Sequence, residues 1–143
     1  MIWKQATELD LLNEAKKNTM VDHLGIQFTN IGEDYLEATM PVDHRTLQPD
    51  GVLHGGASAS LAETVGSMAS LLCVDDTIRY NVVGMEIHAS HLRAVREGQV
   101  KARAYPVKIG RKIHVWNIDI TQREKLICVS RLTTMVIEMR APE

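Results

Sequence analysis

One segment constrains the fold more than any other: residues 55–73 are apolar on almost every helical face. Alanine, glycine and serine are frequent there, and the larger apolar side chains are spread around the helix instead of forming one stripe. A helix of this kind is buried, and its small residues let its backbone approach a neighbouring sheet closely. We therefore predict one long central helix, which begins at His54-Gly55-Gly56, packed inside a β-sheet.

Segments typical of β-strands lie on both sides of this helix. Two precede it, at residues 25–30 and 35–41, with a hairpin turn at 32–34. Four follow it, at about 81–91, 99–108, 113–121 and 126–139. A short helix comes first, with Thr7 as its N-cap and Asn18 at its end. Short connections favour antiparallel neighbours. These elements predict an α+β fold, one central helix wrapped by a bent antiparallel sheet of about six strands, in a single domain over residues 1–143.

The composition indicates a globular protein of the cytoplasm. The chain has 143 residues, of which 45% are apolar and 24% charged. No apolar run approaches the roughly 20 residues that span a bilayer, and the N-terminal residues lack the apolar core of a signal peptide. Its two cysteines, Cys73 and Cys128, suit buried thiols in a reducing compartment. One face of the predicted sheet is left over, so we expect a homo-oligomer, either a dimer or a dimer-of-dimers tetramer.

The charge is distributed unevenly along the chain. The net charge of −2 argues against a nucleic-acid partner, but it combines −8 over residues 1–90 with +6 over residues 91–143. Between His91 and Lys112 there are seven basic residues and one acid. Such a run suits either a phosphate-bearing ligand or a solvated strand face.

Two features of the central helix suggest chemistry. Gly55-Gly56 at its start exposes backbone N–H groups where the helix dipole is positive, which stabilises an anion or a developing oxyanion; the same glycines would also serve a tight turn. Glu63 is a carboxylate on a helix expected to be buried, where desolvation is costly unless the charge is paired; alternatively it occupies a solvated stripe. Ser67 follows one turn later and shares its face.

The spacing of these groups implies a site built from two chains. Gly55 and Glu63 are eight residues apart, which is about 12 Å along one helix. Both cannot touch one carbonyl carbon from the same chain. If both act on one bond, they come from two subunits.

The sequence predicts no metal centre. His88 and His91 are separated by an odd number of positions and face opposite ways on a regular strand, which disfavours a two-histidine site. No phosphate-binding P-loop, dinucleotide fingerprint or G-x-S-x-G elbow is present.

Four stretches together resemble one family. Residues 38–43, 48–67, 83–91 and 130–134 are similar, in this order, to the hotdog-fold acyl-CoA thioesterases of the phenylacetate-pathway and 4-hydroxybenzoyl-CoA (Arthrobacter-type) group. The resemblance is strongest to members that hydrolyse 1,4-dihydroxy-2-naphthoyl-CoA in menaquinone synthesis or proofread enterobactin synthesis. The H-G-G sequence with a helical glutamate eight residues after its first glycine distinguishes this group.

The resemblance implies residue roles. Glu63 matches the catalytic carboxylate, acting as nucleophile or as general base for water, and Gly55 matches the backbone donor to the thioester carbonyl. Gln48 matches an amide that holds this carbonyl, and Ser67 a hydroxyl that orients water or the carboxylate. His54 completes the expected catalytic set. The expected substrate-binding residues are Gly56, Met68, His91, Arg93, Lys108, Arg111 and Lys112.

The implied activity is hydrolysis of an aryl- or acyl-CoA thioester, with coenzyme A as part of the substrate and no other cofactor. An acyl-carrier-protein thioester is a second kind of substrate. Two alternatives stay open at this point: a non-catalytic acyl-CoA-binding hotdog domain, and a hotdog dehydratase with His54 as its base.

Overall fold

The computed structural model describes residues 1–140. All strands form one antiparallel sheet in the order β1-β2-β4-β5-β6-β3, so β1 and β3 are its edges. The α+β class and the six strands agree with the prediction. The elements are α1 (Leu9–Ala15), α2 (Met20–His23), β1 (Gln27–Ile31), β2 (Leu36–Pro41), α3 (Gly55–Leu72), β3 (Tyr80–His91), β4 (Gln99–Ile109), β5 (Ile113–Gln122) and β6 (Lys125–Glu138).

The helix α3 packs on the concave face of this sheet. Gly66 makes the approach close, because a Cβ atom there would lie only 2.6 Å from Leu132 Cδ2 on β6. A buried polar link also ties the helix to the sheet: Trp116 Nε1 donates to Ser70 Oγ over 2.6 Å, and the Ser70 and Thr134 hydroxyls are 2.7 Å apart. Buried hydrogen bonds of this kind hold one helix register, since breaking them leaves an unpaired group.

The prediction that α3 is buried all round is wrong for the single chain. The sheet covers only one side, which carries small and apolar residues such as Ala62, Val65 and Ala69. The opposite side is exposed or half-buried, and it includes Glu63, Ser67 and Met68. A sheet on one side of a helix cannot shield the other side, so that surface is open to a ligand or a second chain.

The N-terminal elements differ from the prediction in two ways. Glu8, not Thr7, is the N-cap of α1, and its side chain makes no capping hydrogen bond. The four-residue helix α2 was not predicted, because one turn is too short to show a hydrophobic period. The residues before α1 cover the end of α3, where the amides of Lys4 and Gln5 donate to the Leu72 carbonyl.

Glu37 occupies an unexpected environment on β2. The alternation of that strand predicts a face opposite the core, yet the side chain is buried and paired with Arg103 Nη2 at 2.6 Å and Lys101 Nζ at 3.7 Å. Its buried charge is compensated by these two cations. Two residues of the predicted basic run are therefore paired with a carboxylate of the sheet.

No helix within residues 1–140 is long and apolar enough to cross a membrane.

Candidate active site

The start of α3 leaves one backbone N–H group free. His54 is the N-cap, and its Nδ1 accepts from the Gly56 amide over 2.8 Å. The next two amides, of Ala57 and Ser58, donate to the His54 carbonyl. Among the residues that the structure describes, the Gly55 amide has no hydrogen-bond partner. It is therefore the donor that remains available to an oxyanion at the positive end of the helix dipole.

The ring of His91 lies against Gly55, in the space that a side chain there would fill. A Cβ atom at Gly55 would lie 2.7 Å from His91 Nε2. His91 ends the strand β3, whereas His88 on the same strand lines a depression on the outer face with Arg131. The two histidines thus face opposite ways, as their spacing predicts. His91 flanks the free amide of Gly55.

The loop before α3 places Gln48 in the depression that Gly55 also lines. Hydrogen bonds from the side chain and backbone of Arg45 hold the pKa of Asp43 at about 2, so Asp43 is a carboxylate at neutral pH. Gln48 Oε1 accepts from the Asp50 amide in a tight turn that Gly51 closes with φ +76°. Because Oε1 is occupied, the Gln48 NH₂ group is the end left to donate to a ligand.

Gln48, Gly55, His91 and Arg93 line one depression of about 330 Å³. Among its hydrogen-bonding groups are the Gly55 amide and the Gln48 NH₂ group, and Arg93 adds a cation. We call it the oxyanion half-site. It has no carboxylate among its lining residues.

The carboxylate lies in a second depression of about 430 Å³, which we call the carboxylate half-site. Glu63 and Ser67 line it together, as their spacing on one helix face predicts, and so does Met68, one of the expected substrate-binding residues. Most of its wall is apolar, and part of that wall comes from α2 and the residues after it, which sequence reasoning missed. The lining residues are Met20, Val21, Leu24, Ile26, Ser60, Glu63, Thr64, Ser67, Met68, Leu71, Asn81 and Val82.

Glu63 is exposed in the single chain, so the prediction of a buried carboxylate is not met there. Within residues 1–140 the Glu63 side chain makes no hydrogen bond and no ion pair. The nearby Ser60 hydroxyl donates instead to the Gly56 carbonyl over 2.8 Å. The carboxylate is thus free to act on a ligand, and its position is set by packing.

The two half-sites share no residue. Both are built on α3, one at its first turn and the other around Glu63, two turns later. Eight residues of helix separate Gly55 from Glu63, a rise of about 12 Å. The structure therefore places Gln48 and Gly55 in one depression and Glu63 and Ser67 in the other, while His54 lines neither. The single chain does not bring the two depressions together.

The predicted basic run is divided in space. Arg93 lines the oxyanion half-site. Arg111 and Lys112 line a cavity of about 630 Å³ near Cys73, at the other end of the 11-residue strand β4. Lys108 precedes the same β4–β5 turn, and its Cε would lie 3.4 Å from a Cβ at Gly110. Arg93 precedes β4 and the other three lie near or beyond its far end, so a strand about 33 Å long, at roughly 3.3 Å a residue, lies between the two groups along the chain.

His54 has a structural task in this arrangement. Because its Nδ1 accepts from the Gly56 amide, the Gly56 N–H is not available to a ligand and the ring is held at the helix start. The dehydratase alternative requires the His54 ring as a base, and this bond engages one of its two nitrogens.

Within residues 1–140, no group of three or more His, Cys, Asp or Glu side chains is placed to hold a metal ion.

Comparison with known proteins identifies the family. Residues 50–129 match the family model described as the thioesterase superfamily. The proofreading thioesterase EntH of Cronobacter turicensis is 52% identical over 138 residues, 96% of this chain and 99% of the relative. The 1,4-dihydroxy-2-naphthoyl-CoA hydrolase of Escherichia coli K12 is 49% identical over 138 residues, 96% of this chain and 100% of the relative.

Solved structures support the same assignment. The crystal structure of a thioesterase from Haemophilus influenzae matches with a TM-score of 0.93 at 56% sequence identity, and the match covers 96% of each chain. The six-stranded sheet around α3 is the common fold. The chain therefore belongs to the thioesterase superfamily, has the hotdog fold, and is a thioester hydrolase.

Proposed function

We propose that this chain hydrolyses aryl- or acyl-CoA thioesters at a site shared by two copies of itself. Glu63 and Ser67 come from one chain, and Gly55 and Gln48 from its partner. The observation that carries this proposal is the separation of donors and carboxylate into two half-sites that share no residue. Two antiparallel α3 helices that meet across a two-fold axis would place each Glu63 opposite the partner's Gly55.

The chemistry needs only these groups. The Gly55 amide and the Gln48 NH₂ group donate to the thioester carbonyl oxygen, and they stabilise the negative charge that develops there. Glu63 either attacks the carbonyl carbon itself or removes a proton from the water that attacks, while Ser67 orients the water or the carboxylate. If Glu63 attacks, the C–S bond breaks as an anhydride between the acyl group and Glu63 forms, and water then hydrolyses this anhydride and frees Glu63. If Glu63 acts as a base, the water oxygen bonds to the carbonyl carbon, the C–S bond breaks, and the acyl group leaves as a carboxylic acid. In both routes coenzyme A leaves as a thiolate, which takes up a proton from protonated Glu63 or from solvent.

The carboxylate half-site favours an apolar acyl group. Its wall is mostly apolar, with Met68 from α3 and Met20 and Leu24 from the segment around α2. A flat aromatic acyl group suits such a wall, since methionine side chains adapt to rings. The Escherichia coli relative is named for a naphthoyl-CoA substrate, so 1,4-dihydroxy-2-naphthoyl-CoA and a place in menaquinone synthesis are part of the proposal. A carrier-protein thioester is the second substrate class.

The phosphates of coenzyme A require cations near the mouth of this shared site. Arg93 lies beside the oxyanion half-site. In the antiparallel arrangement, the C-terminal end of one α3 lies toward the N-terminal end of the other. Arg111 and Lys112, which line the cavity near Cys73, then approach the partner's Arg93. We propose that these residues and Lys108 hold the phosphates from two chains.

Replacing Glu63 by glutamine tests the function. The change keeps the shape and removes the charge, so kcat for a benzoyl- or naphthoyl-CoA substrate is expected to fall by about a thousandfold or more while KM changes little. Unchanged thermal unfolding and oligomer size serve as controls, since the exposed Glu63 side chain has no hydrogen bond to lose. A variant that turns over at near-normal rate would show that Glu63 is not the catalytic group. A non-catalytic acyl-CoA-binding domain would instead bind these esters without turnover in the wild-type protein.

A further inference from the structure

The carboxylate of Glu63 lies directly against the backbone of the edge strand β3. A Cβ atom at Gly84 would collide with Glu63 Oε1 and would lie 3.5 Å from Glu63 Cδ. The carboxylate thus occupies the space that any other residue at position 84 would fill. Among the residues that the structure describes, no hydrogen bond or ion pair holds this carboxylate, so packing against Gly84 is what limits its position.

The conformation of Gly84 does not itself require glycine. The positive φ angles of this chain's glycines are at Gly25, Gly51 and Gly98, and Gly84 is not among them. An alanine could therefore adopt the backbone conformation of Gly84 without strain. The contact with Glu63, and not the backbone conformation, is what a side chain at this position would disturb.

The strand is also irregular at this point. Gly84 pairs with Thr134 and Glu86 with Thr133, which leaves Met85 as an extra residue in a β-bulge. Bulges bend a strand locally and change where its residues point, and they are frequent beside active sites. The bulge and the missing side chain thus coincide where the backbone of β3 contacts the carboxylate.

We propose that Gly84 is a positioning residue for Glu63. The Glu63 carboxylate packs against the bulged glycine, and this contact sets the distance between the carboxylate and the thioester. This inference rests on the function proposed above. Gly84 itself does not touch the substrate. Its role is to let the carboxylate lie close to β3, and a methyl group at this position pushes the carboxylate away from the strand.

The Gly84→Ala variant tests this role. The colliding atom is the far end of a flexible side chain, so the protein is expected to fold while the carboxylate shifts. A displacement of about 1 Å can lower a rate by about a hundredfold. We expect kcat to fall by about ten- to a hundredfold, with KM and oligomer size close to wild type. An unchanged kcat in Gly84→Ala, alongside an inactive Glu63→Gln, would overturn the positioning role and leave the proposed function intact.

A double-mutant cycle with Glu63→Asp separates positioning from a general effect on the strand. Aspartate is one methylene shorter and withdraws the carboxylate from position 84. If the two residues act through their contact, the Asp substitution lowers kcat much less in the Gly84→Ala background than in the wild type. Effects that simply multiply would contradict the proposal.

The same set of variants also interprets a failure of Gly84→Ala to fold. If Gly84→Ala fails to fold but Gly84→Ala with Glu63→Asp folds, the collision with the carboxylate is confirmed. If neither folds, the glycine is needed for another reason and the proposal is overturned. Near-normal turnover in Glu63→Gln would instead remove the proposed function, and the positioning role with it.

Discussion

Three glycines of this chain are important because they lack a side chain, which leaves room for a neighbouring residue. Gly55 leaves room for His91, Gly84 for the Glu63 carboxylate, and Gly66 for Leu132. The first two of these glycines each lie against a side chain of the proposed site. A methyl group at Gly84 would displace the Glu63 carboxylate.

His114 is a buried histidine outside the proposed chemistry. Its side chain is 2% exposed, and its Nδ1 has no hydrogen-bond partner within the described residues. Burial lowers the pKa of His114 below its usual 6.5, because the charged form is poorly solvated there; an interaction with the Gly110 backbone opposes this shift. His114 therefore stays neutral in the folded protein at neutral pH.

This shift makes stability depend on pH in a defined direction. The unfolded chain binds a proton at His114 more readily than the folded chain, so stability is full above pH 6.5 and is lost as the pH falls below that value toward the folded pKa. The His114→Gln variant lacks this loss. We expect the wild-type Tm to fall more steeply than that of the variant between pH 7.5 and 5, measured by thermal unfolding at constant ionic strength. Parallel Tm curves would show that His114 does not titrate differently on folding.

At the scale of elements, α3 carries most of the residues of the proposed site. Its first turn provides the free amide of Gly55, its exposed side carries Glu63 and Ser67, and its buried side holds the register through Ser70. The strands position what faces the helix: β3 places His91 at the oxyanion half-site and Gly84 against the Glu63 carboxylate. The β4–β5 turn places Arg111 and Lys112 beside the C-terminal end of α3.

Charge reversal at this turn tests where the phosphates bind. We expect Arg111→Glu and Lys112→Glu each to raise KM for a CoA ester by about two- to fivefold, the scale of an exposed ion pair, with kcat nearly unchanged. The effect should diminish at high salt, because screening weakens such contacts. Lys17→Glu, which reverses an exposed lysine just after α1, is the matched control. If KM is the same in all three variants, the phosphates lie elsewhere.

At the scale of the whole molecule, the chain presents surfaces that suit a second copy. The edge strand β3 is unpaired on one side and exposes the apolar side chains of Val83 and Met85, which are 39% and 54% accessible. The open side of α3 lies above this edge. A partner that pairs with β3 would cover both surfaces, and in the proposed arrangement it would bring the partner's Gly55 toward the Glu63 carboxylate.

Mixing inactive subunits tests whether the site is shared. Glu63→Gln chains are exchanged with Gln48→Ala chains, and exchange is verified by mass. A mixed dimer then has one site with both defects and one site with none. With random mixing at equal amounts, about half of the dimers are mixed, and each mixed dimer has one intact site out of two. We therefore expect about a quarter of wild-type activity. No recovery in verified mixed dimers would mean that each chain builds its own site.

The sequence by itself determined the central helix and the strands of this protein, though not the short helix α2 or the N-cap of α1. The even distribution of apolar residues around 55–73 predicted α3, and the alternation of the strands predicted six of them to within two residues at each end. The helix start at Gly55 and the shared face of Glu63 and Ser67 followed from local spacing. These properties depend on neighbours along the chain, so local periodicity and turn residues are sufficient to predict them.

Only the tertiary structure decided how these elements meet. The contacts of Glu63 with Gly84 and of His91 with Gly55 depend on the register of β3 against β6, which a single extra residue shifts. The same holds for the pairing of Glu37 with Lys101 and Arg103, and for the division of the basic run along β4. Each joins residues far apart in the chain, and a glycine inside a strand pattern was the one local signal of such an approach. Local sequence patterns carry no information about distances across the sheet, which packing alone determines.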